Sequence, residues 1–238
     1  MVIAPRPVRL LARAASDLVL PNWCPGCGRP GRVLCCDCER EFRHWFRADV
    51  DAANLATLGL PTWSAAGYHG PVRRIVMSWK SGSRPDLAEP MARIGRGLGT
   101  RLGRTLAVPV APGPLAVVPA PSGWRRRWRG REVVEPWARA VAAGLAAELG
   151  TDVPVTVLLA RTGGRSHHLG AAARRDERER AIGRRRGATA EPAAGYVLVD
   201  DVVTTGATLA AAATALGGAA LAAVTLAATP APRRRLEV

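Results

Sequence analysis

Apolar positions along this chain follow two periods, and each change of period marks an element. Near the N-terminus Leu11, Ala15, Leu18 and Val19 recur on one face, predicting a short amphipathic helix over 8–20 that Pro21 ends. Residues 39–46 predict a second short helix, and 49–61 a connection. A strand is predicted over 62–68, closed by Gly70-Pro71. Val72, Ile75, Val76 and Trp79 then return at helical spacing, and a further helix is predicted over 85–102. Residues 115–118 form a short apolar run, the pattern of a strand buried on both faces. Val133, Val134, Trp137, Ala138, Val141, Leu145 and Leu149 give a helix with one buried stripe. Residues 151–159 predict the second core strand, 161–186 a polar region with two helical stretches, 196–199 another buried strand, and 220–228 the last one. Strands alternating with helices predict an α/β fold with a parallel sheet.

Composition changes this picture little. A chain of 238 residues holds one α/β domain and a small module. The net charge is +15, and Lys80 is the only lysine among 34 basic residues. Such an excess favours anionic partners, but an alanine- and arginine-heavy composition also follows from biased codon usage, which weakens it as a sign of nucleic acid. Residues 202–232 carry no charge, a length that would allow a spanning helix. Gly217-Gly218 in its middle and few large apolar side chains point instead to helix, turn and buried strand. Arg6, Arg9, Arg13 and Asp17 interrupt any export-signal core, so a cytoplasmic location is expected.

All five cysteines lie between positions 24 and 38. Cys24, Cys27, Cys35 and Cys38 have the spacing C-x2-C-x7-C-x2-C, two knuckles able to close a tetrahedral thiolate site for Zn2+. Four thiolates leave no open position, so such a zinc is structural. Cys36 is an alternative to Cys35 as third ligand. An odd count and tight spacings argue against disulfides.

The most informative stretch is G-Y-V-L-V-D-D-V-V-T-T-G-A-T-L, from Gly195 to Leu209. An apolar run ends in two carboxylates, Asp200 and Asp201. Small and hydroxylated residues follow, Thr204, Thr205, Gly206, Ala207 and Thr208, and lead into an alanine-rich helix. Ligands of open α/β sheets bind at the carboxyl ends of strands. A helix N-terminus offers unsatisfied N–H groups to an anion. Carboxylates that accept from hydroxyls, set beside a phosphate cradle, suit a sugar phosphate.

That run resembles the phosphoribosyl diphosphate (PRPP) signature of type I phosphoribosyltransferases. The resemblance implies that Asp200 and Asp201 hold the ribose hydroxyls and that Thr204, Thr205, Gly206, Ala207 and Thr208 hold the 5′-phosphate. A zinc knuckle, then Y-H-G-P-V-R-R-I-V-M-S-W-K-S-G with Tyr68, Gly70, Lys80 and Gly82, then this core, is similar to the layout of the ComF family. That resemblance implies a type I phosphoribosyltransferase-like fold over 49–238, preceded over 1–48 by the N-terminal helix and four-cysteine zinc module. It also implies a link to competence and DNA uptake.

The loop P-A-P-S-G-W-R-R-R-W-R-G faces the diphosphate in this fold, so Arg125, Arg126 and Arg129, with Lys80, are implied as diphosphate ligands and Mg2+ as the substrate's companion. Arg129-Gly130 match the family, whereas R-E-V-V stands where relatives show Phe-Asn-Gln. Trp124 and Trp128 beside the arginines also suit single-stranded DNA. The sequence thus leaves three readings open: phosphoribosyl transfer, PRPP or nucleotide binding without catalysis, and handling of single-stranded DNA.

Overall fold

The computed structural model describes residues 23–49, 53–106, 114–121, 133–162, 181–188 and 193–229. The helix expected over 8–20 lies outside these residues. In chain order the elements are α1 (Cys36–Arg40), β1 (Phe46–Arg47), α2 (Ala53–Leu58), β2 (Thr62–Ser64), α3 (Gly70–Lys80) and α4 (Ala88–Leu106). After them come β3 (Leu115–Pro119), α5 (Val134–Leu149), β4 (Leu159–Arg161), β5 (Ile182–Arg184), β6 (Gly195–Val203), α6 (Ala207–Ala215) and β7 (Ala220–Ala228).

Five strands form one sheet in the order β1-β2-β7-β6-β3. β2, β7, β6 and β3 run parallel, and β1 joins the edge antiparallel to β2. β4 and β5 make a separate antiparallel ribbon. Each central strand divides its side chains between two layers, as the two-residue pleat requires. Val117, Val197, Val199, Val224 and Leu226 enter a core shared with α3, α4 and α5. Val118, Tyr196, Leu198 and Ala223 enter a core shared with α2 and α6. This is a mixed α/β fold with a mostly parallel sheet, as the alternating pattern predicts.

Several boundaries differ from the sequence reading. The signature strand does not stop at Val199. It continues through Asp200 and Asp201 to Val203, because β7 goes on pairing with it as far as Val203–Ala228. Residues 151–159 are not a continuous strand. Only Val155 bridges to Val117, where Pro154, which has no N–H to donate, contributes its carbonyl instead. The expected connection at 49–61 contains α2, with Leu55 fully buried. The helix expected over 39–46 starts earlier, at Cys36, tightens into a 3-10 turn at Glu41–Arg43 and gives way to β1. Within the polar region over 161–186, where the pattern allowed two helical stretches, Ile182–Arg184 is a strand.

α4 packs closely against α5, and glycines allow it. A methyl group added at Gly99 would collide with the Val141 carbonyl, and one at Gly144 with the Arg96 carbonyl. At Gly95 a methyl would come within 2.8 Å of the Trp137 indole nitrogen. That indole instead donates to the Met91 carbonyl at 3.1 Å and meets Trp79 edge-on, with ring centroids 6.5 Å apart. Gly95, Gly99 and Gly103 recur every four residues on α4, so they form one shallow stripe. Gly97 is different: it is exposed and has open space around it.

Gly144→Ala should therefore lower the free energy of unfolding by about 1–3 kcal/mol through overpacking. Gly97→Ala should raise it by about 0.5–1 kcal/mol through helix propensity. Urea unfolding midpoints measure both, and equal effects of the two substitutions would contradict this packing.

Candidate functional site

The candidate site is assembled at the carboxyl end of β6. Consecutive residues of a strand face opposite sides of the sheet. Asp201 thus follows Val197 and Val199 toward α3, and Asp200 follows Tyr196 and Leu198 toward α6. Asp201 is buried, with 5% of its surface exposed, and Asp200 is half-buried. A carboxylate so enclosed requires a counter-charge. Lys80, the last residue of α3, provides it, with Nζ 2.7 Å from Oδ2 of Asp201.

The Asp201 backbone N–H donates to Oδ1 of Asp200 at 2.8 Å. Burial pushes the Asp200 carboxyl up to about 7, and the neighbouring Asp201 charge adds to the rise. That backbone N–H and the charges of Lys80 and Arg161 oppose it. Arg161, on β4, is held nearby by its Nε–H bond to the Pro121 carbonyl at 3.1 Å.

After Val203 the chain turns through Thr204 and Thr205, both exposed, to Gly206, whose φ of 76° places it in the left-handed region. Gly206 is the N-cap of α6. Oγ1 of Thr205 accepts from the Ala207 N–H at 3.4 Å, and Gly206 O accepts from the Ala210 N–H at 2.9 Å. Ala207 and Thr208, on the first turn of the helix, are half-buried. Asn54 of α2 donates through Nδ2 to the Thr205 carbonyl at 2.7 Å. The sequence reading missed Asn54. It lies 151 residues away in a stretch read as a connection, and no local pattern reports a bond across that distance.

A second cluster lies in the N-terminal module. The sulfurs of Cys24, Cys27, Cys35 and Cys38 lie within 4.8 Å of one another. Cys24 turns back on itself through the Gly28 N–H to Cys24 O bond at 2.8 Å, and Cys35 caps α1 by accepting from the Cys38 N–H. Cys36 points away and is exposed, so Cys35 is the member of the set. All five cysteines are free thiols.

The cluster suits a cation. Burial raises the Cys24 thiol, but backbone N–H groups of Cys35, Cys27 and Gly26 outweigh it and bring it down to about 7. Burial and the neighbouring sulfurs push the Cys38 thiol upward, and a positive charge among the sulfurs would oppose that rise. A zinc ion about 2.3 Å from each sulfur would supply that charge within the space these residues enclose.

α3 joins the two clusters. Arg74 donates twice to the Gly26 carbonyl, through Nε at 2.8 Å and through its terminal nitrogen. Less than two turns later the same helix ends in Lys80. Lys80 is thus brought to the acidic pair, whereas Arg125, Arg126 and Arg129 lie outside the described residues. Two surface hollows, one lined by Leu58, Leu60, Ala213 and Gly217 and one by Phe42, Arg93, Gly97 and Arg101, do not include the acidic pair. No helix among the described residues is long and apolar enough to cross a membrane.

Two outcomes follow. Chelation should lower Tm by more than about 10 °C, as expected of a structural zinc. Cys38→Ser should abolish one equivalent of bound zinc by elemental analysis, and Cys36→Ser should retain it. The second outcome concerns pH. Asp200 rises from 3.8 unfolded to about 7 folded, so its contribution to stability is fully present below pH 3.8 and is lost as pH rises through 7. Asp200→Asn should remove that decline, seen as a flatter dependence of the urea midpoint between about pH 4 and 7.5.

No family model and no curated protein matches the chain. Among solved structures, it is similar to a hypoxanthine phosphoribosyltransferase from Staphylococcus aureus, at 14% identity and a TM-score of 0.34, over 63% of this chain and 69% of that one. It is also similar to the allosteric regulatory enzyme of purine biosynthesis, at 21% identity and a TM-score of 0.33, over 64% of this chain and 30% of that one.

Proposed function

We propose that the chain binds PRPP, or a related ribose 5-phosphate, at the carboxyl end of β6, and that it is a ComF-like phosphoribosyltransferase. One observation carries this reading. Two carboxyls near the end of β6 are followed, after Val202-Val203, by a T-T-G-A-T run that opens α6. The loop's hydroxyls and the first amides of α6 suit the 5′-phosphate. Asp200 and Asp201 suit the ribose hydroxyls, which donate to carboxyl oxygens. The four-cysteine module over 1–48 is a structural support for the domain over 49–238.

Transfer would break the bond between ribose C1 and the diphosphate oxygen and form one to an incoming nucleophile. Positive charge develops on the ring and negative charge on the leaving diphosphate. Catalysis of such a step needs positioning and electrostatic stabilisation more than covalent chemistry. Mg2+ accompanying the substrate would supply positive charge that offsets the leaving diphosphate. The arginines of the 125–131 stretch suit the diphosphate by their chemistry, since guanidinium groups pair bidentately with such oxygens. The competence link belongs to the ComF resemblance and stands with it.

Calorimetry with Mg2+ and PRPP should give saturable binding with one site per chain. Asp200→Asn and Asp201→Asn should each weaken it by about tenfold or more, the effect of losing a hydrogen bond to a charged group. A wild-type protein that gives no saturable heat would sink the reading. Pyrophosphate release in the presence of candidate acceptors separates transfer from binding alone.

A further inference from the structure

The two acidic residues are chemically alike in sequence, yet the fold treats them differently. Asp201 faces the layer of α3, α4 and α5 and lies 2.7 Å from Lys80. Its side chain is 7% exposed and that of Lys80 21%, so the pair is largely shielded from solvent. Asp200 faces the α6 layer, is half-buried, and accepts from the backbone N–H of Asp201. Lys80 is itself held by its helix. Val72, Ile75, Val76 and Trp79 bury one face of α3, and Arg74 ties its middle to the cysteine knuckle at Gly26. Its lysine head therefore reaches Asp201 from a fixed base.

We propose that Lys80 is a positioning residue of this site. By neutralising Asp201 from the α3 side of the sheet, it fixes that carboxylate and leaves Asp200 as the carboxyl presented to a ligand's hydroxyls. The proposal deepens the reading of the strand end as a ribose-phosphate site and, for its ligand readout, rests on it. Lys80 then acts through Asp201 and has a role separate from the arginines of the 125–131 loop. Among the described residues, the charged groups that bear on Asp200 are Asp201 on its own strand, Lys80 from α3 and Arg161 from β4.

The test has one readout that needs no PRPP. Carbon-13 NMR of aspartate carboxyls, assigned with Asp200→Asn, follows the Asp200 titration in the full-length protein. Lys80→Gln removes a charge that favours the Asp200 carboxylate, so the midpoint should rise by on the order of one pH unit. Lys80→Arg should return it to near the wild-type value. In an Asp201→Asn background, Lys80→Gln should cost far less stability than in the wild type, as coupled partners do. The second readout is calorimetric: Lys80→Gln should weaken Mg2+-PRPP binding about tenfold, and Lys80→Arg should restore most of it.

An unmoved Asp200 midpoint in a folded Lys80→Gln protein would overturn the inference, and so would additive effects of Lys80→Gln and Asp201→Asn. A moved midpoint with no PRPP binding in the wild type would instead leave the Lys80 assignment standing and remove the ribose-phosphate reading. Should Lys80→Gln fail to fold, Lys80→Met, which keeps the apolar stem, carries the same comparison.

Discussion

Burial of β6 on both faces is the constraint on which the rest of this structure depends. The strand is flanked by β3 and β7, and its side chains fill two separate cores. A strand in that position reads as an unbroken apolar run, which is the pattern of Tyr196 to Val199. The same constraint makes its end unusual. Because β7 pairs with it to Val203, two carboxyls are carried inside the sheet instead of beyond it. Each then has to be accommodated by its own layer. On one side an ion pair with Lys80 does so. On the other, burial and the neighbouring Asp201 charge push the Asp200 carboxyl up to about 7.

Long-range contacts supply what makes that arrangement stable. α3 runs from the cysteine knuckle to Asp201, so one rigid helix connects the small module to the end of the central strand. Cys24, Cys35, Cys38 and Phe42 belong to the same buried cluster as Ile75, Trp79 and Trp137. α4 and α5 complete that layer, and their glycine stripe brings the backbones close enough for Thr100 to donate to the Gly144 carbonyl at 3.3 Å. On the opposite face, α2 supports the loop before α6 through Asn54. The acidic pair and the threonine loop thus rest on elements from widely separated parts of the chain.

Much of this was legible in the sequence, for physical reasons that are local. Apolar periodicity located α3, α4, α5, β3, β6 and β7, because each buries one stripe or both faces and the pattern records it. Cysteine spacing located the four thiols, because a knuckle of two intervening residues is a short-range geometry. The order of carboxyls, hydroxyls and glycine located the candidate site, because a strand end and a helix start are contiguous in the chain. Less legible were α2, whose six residues carry little periodicity, and β5, a three-residue strand defined by its partner β4. The glycines of α4 read as weak helix formers until α5 lay against them.

The sequence by itself therefore determined the fold class, the chemistry available at positions 200–208, and the set of thiols. Tertiary structure decided how that chemistry is divided. Lys80 and Asp201 lie in different halves of the chain, and no spacing rule brings them together. Their pairing follows from packing α3 on one face of the sheet, and the pleat then assigns Asp200 to the other face. Likewise, the choice of Cys35 over Cys36 came from which of two adjacent side chains α1 turns inward. In both cases the residue types were plain in the chain, and the direction in which each one points was set by what packs against it.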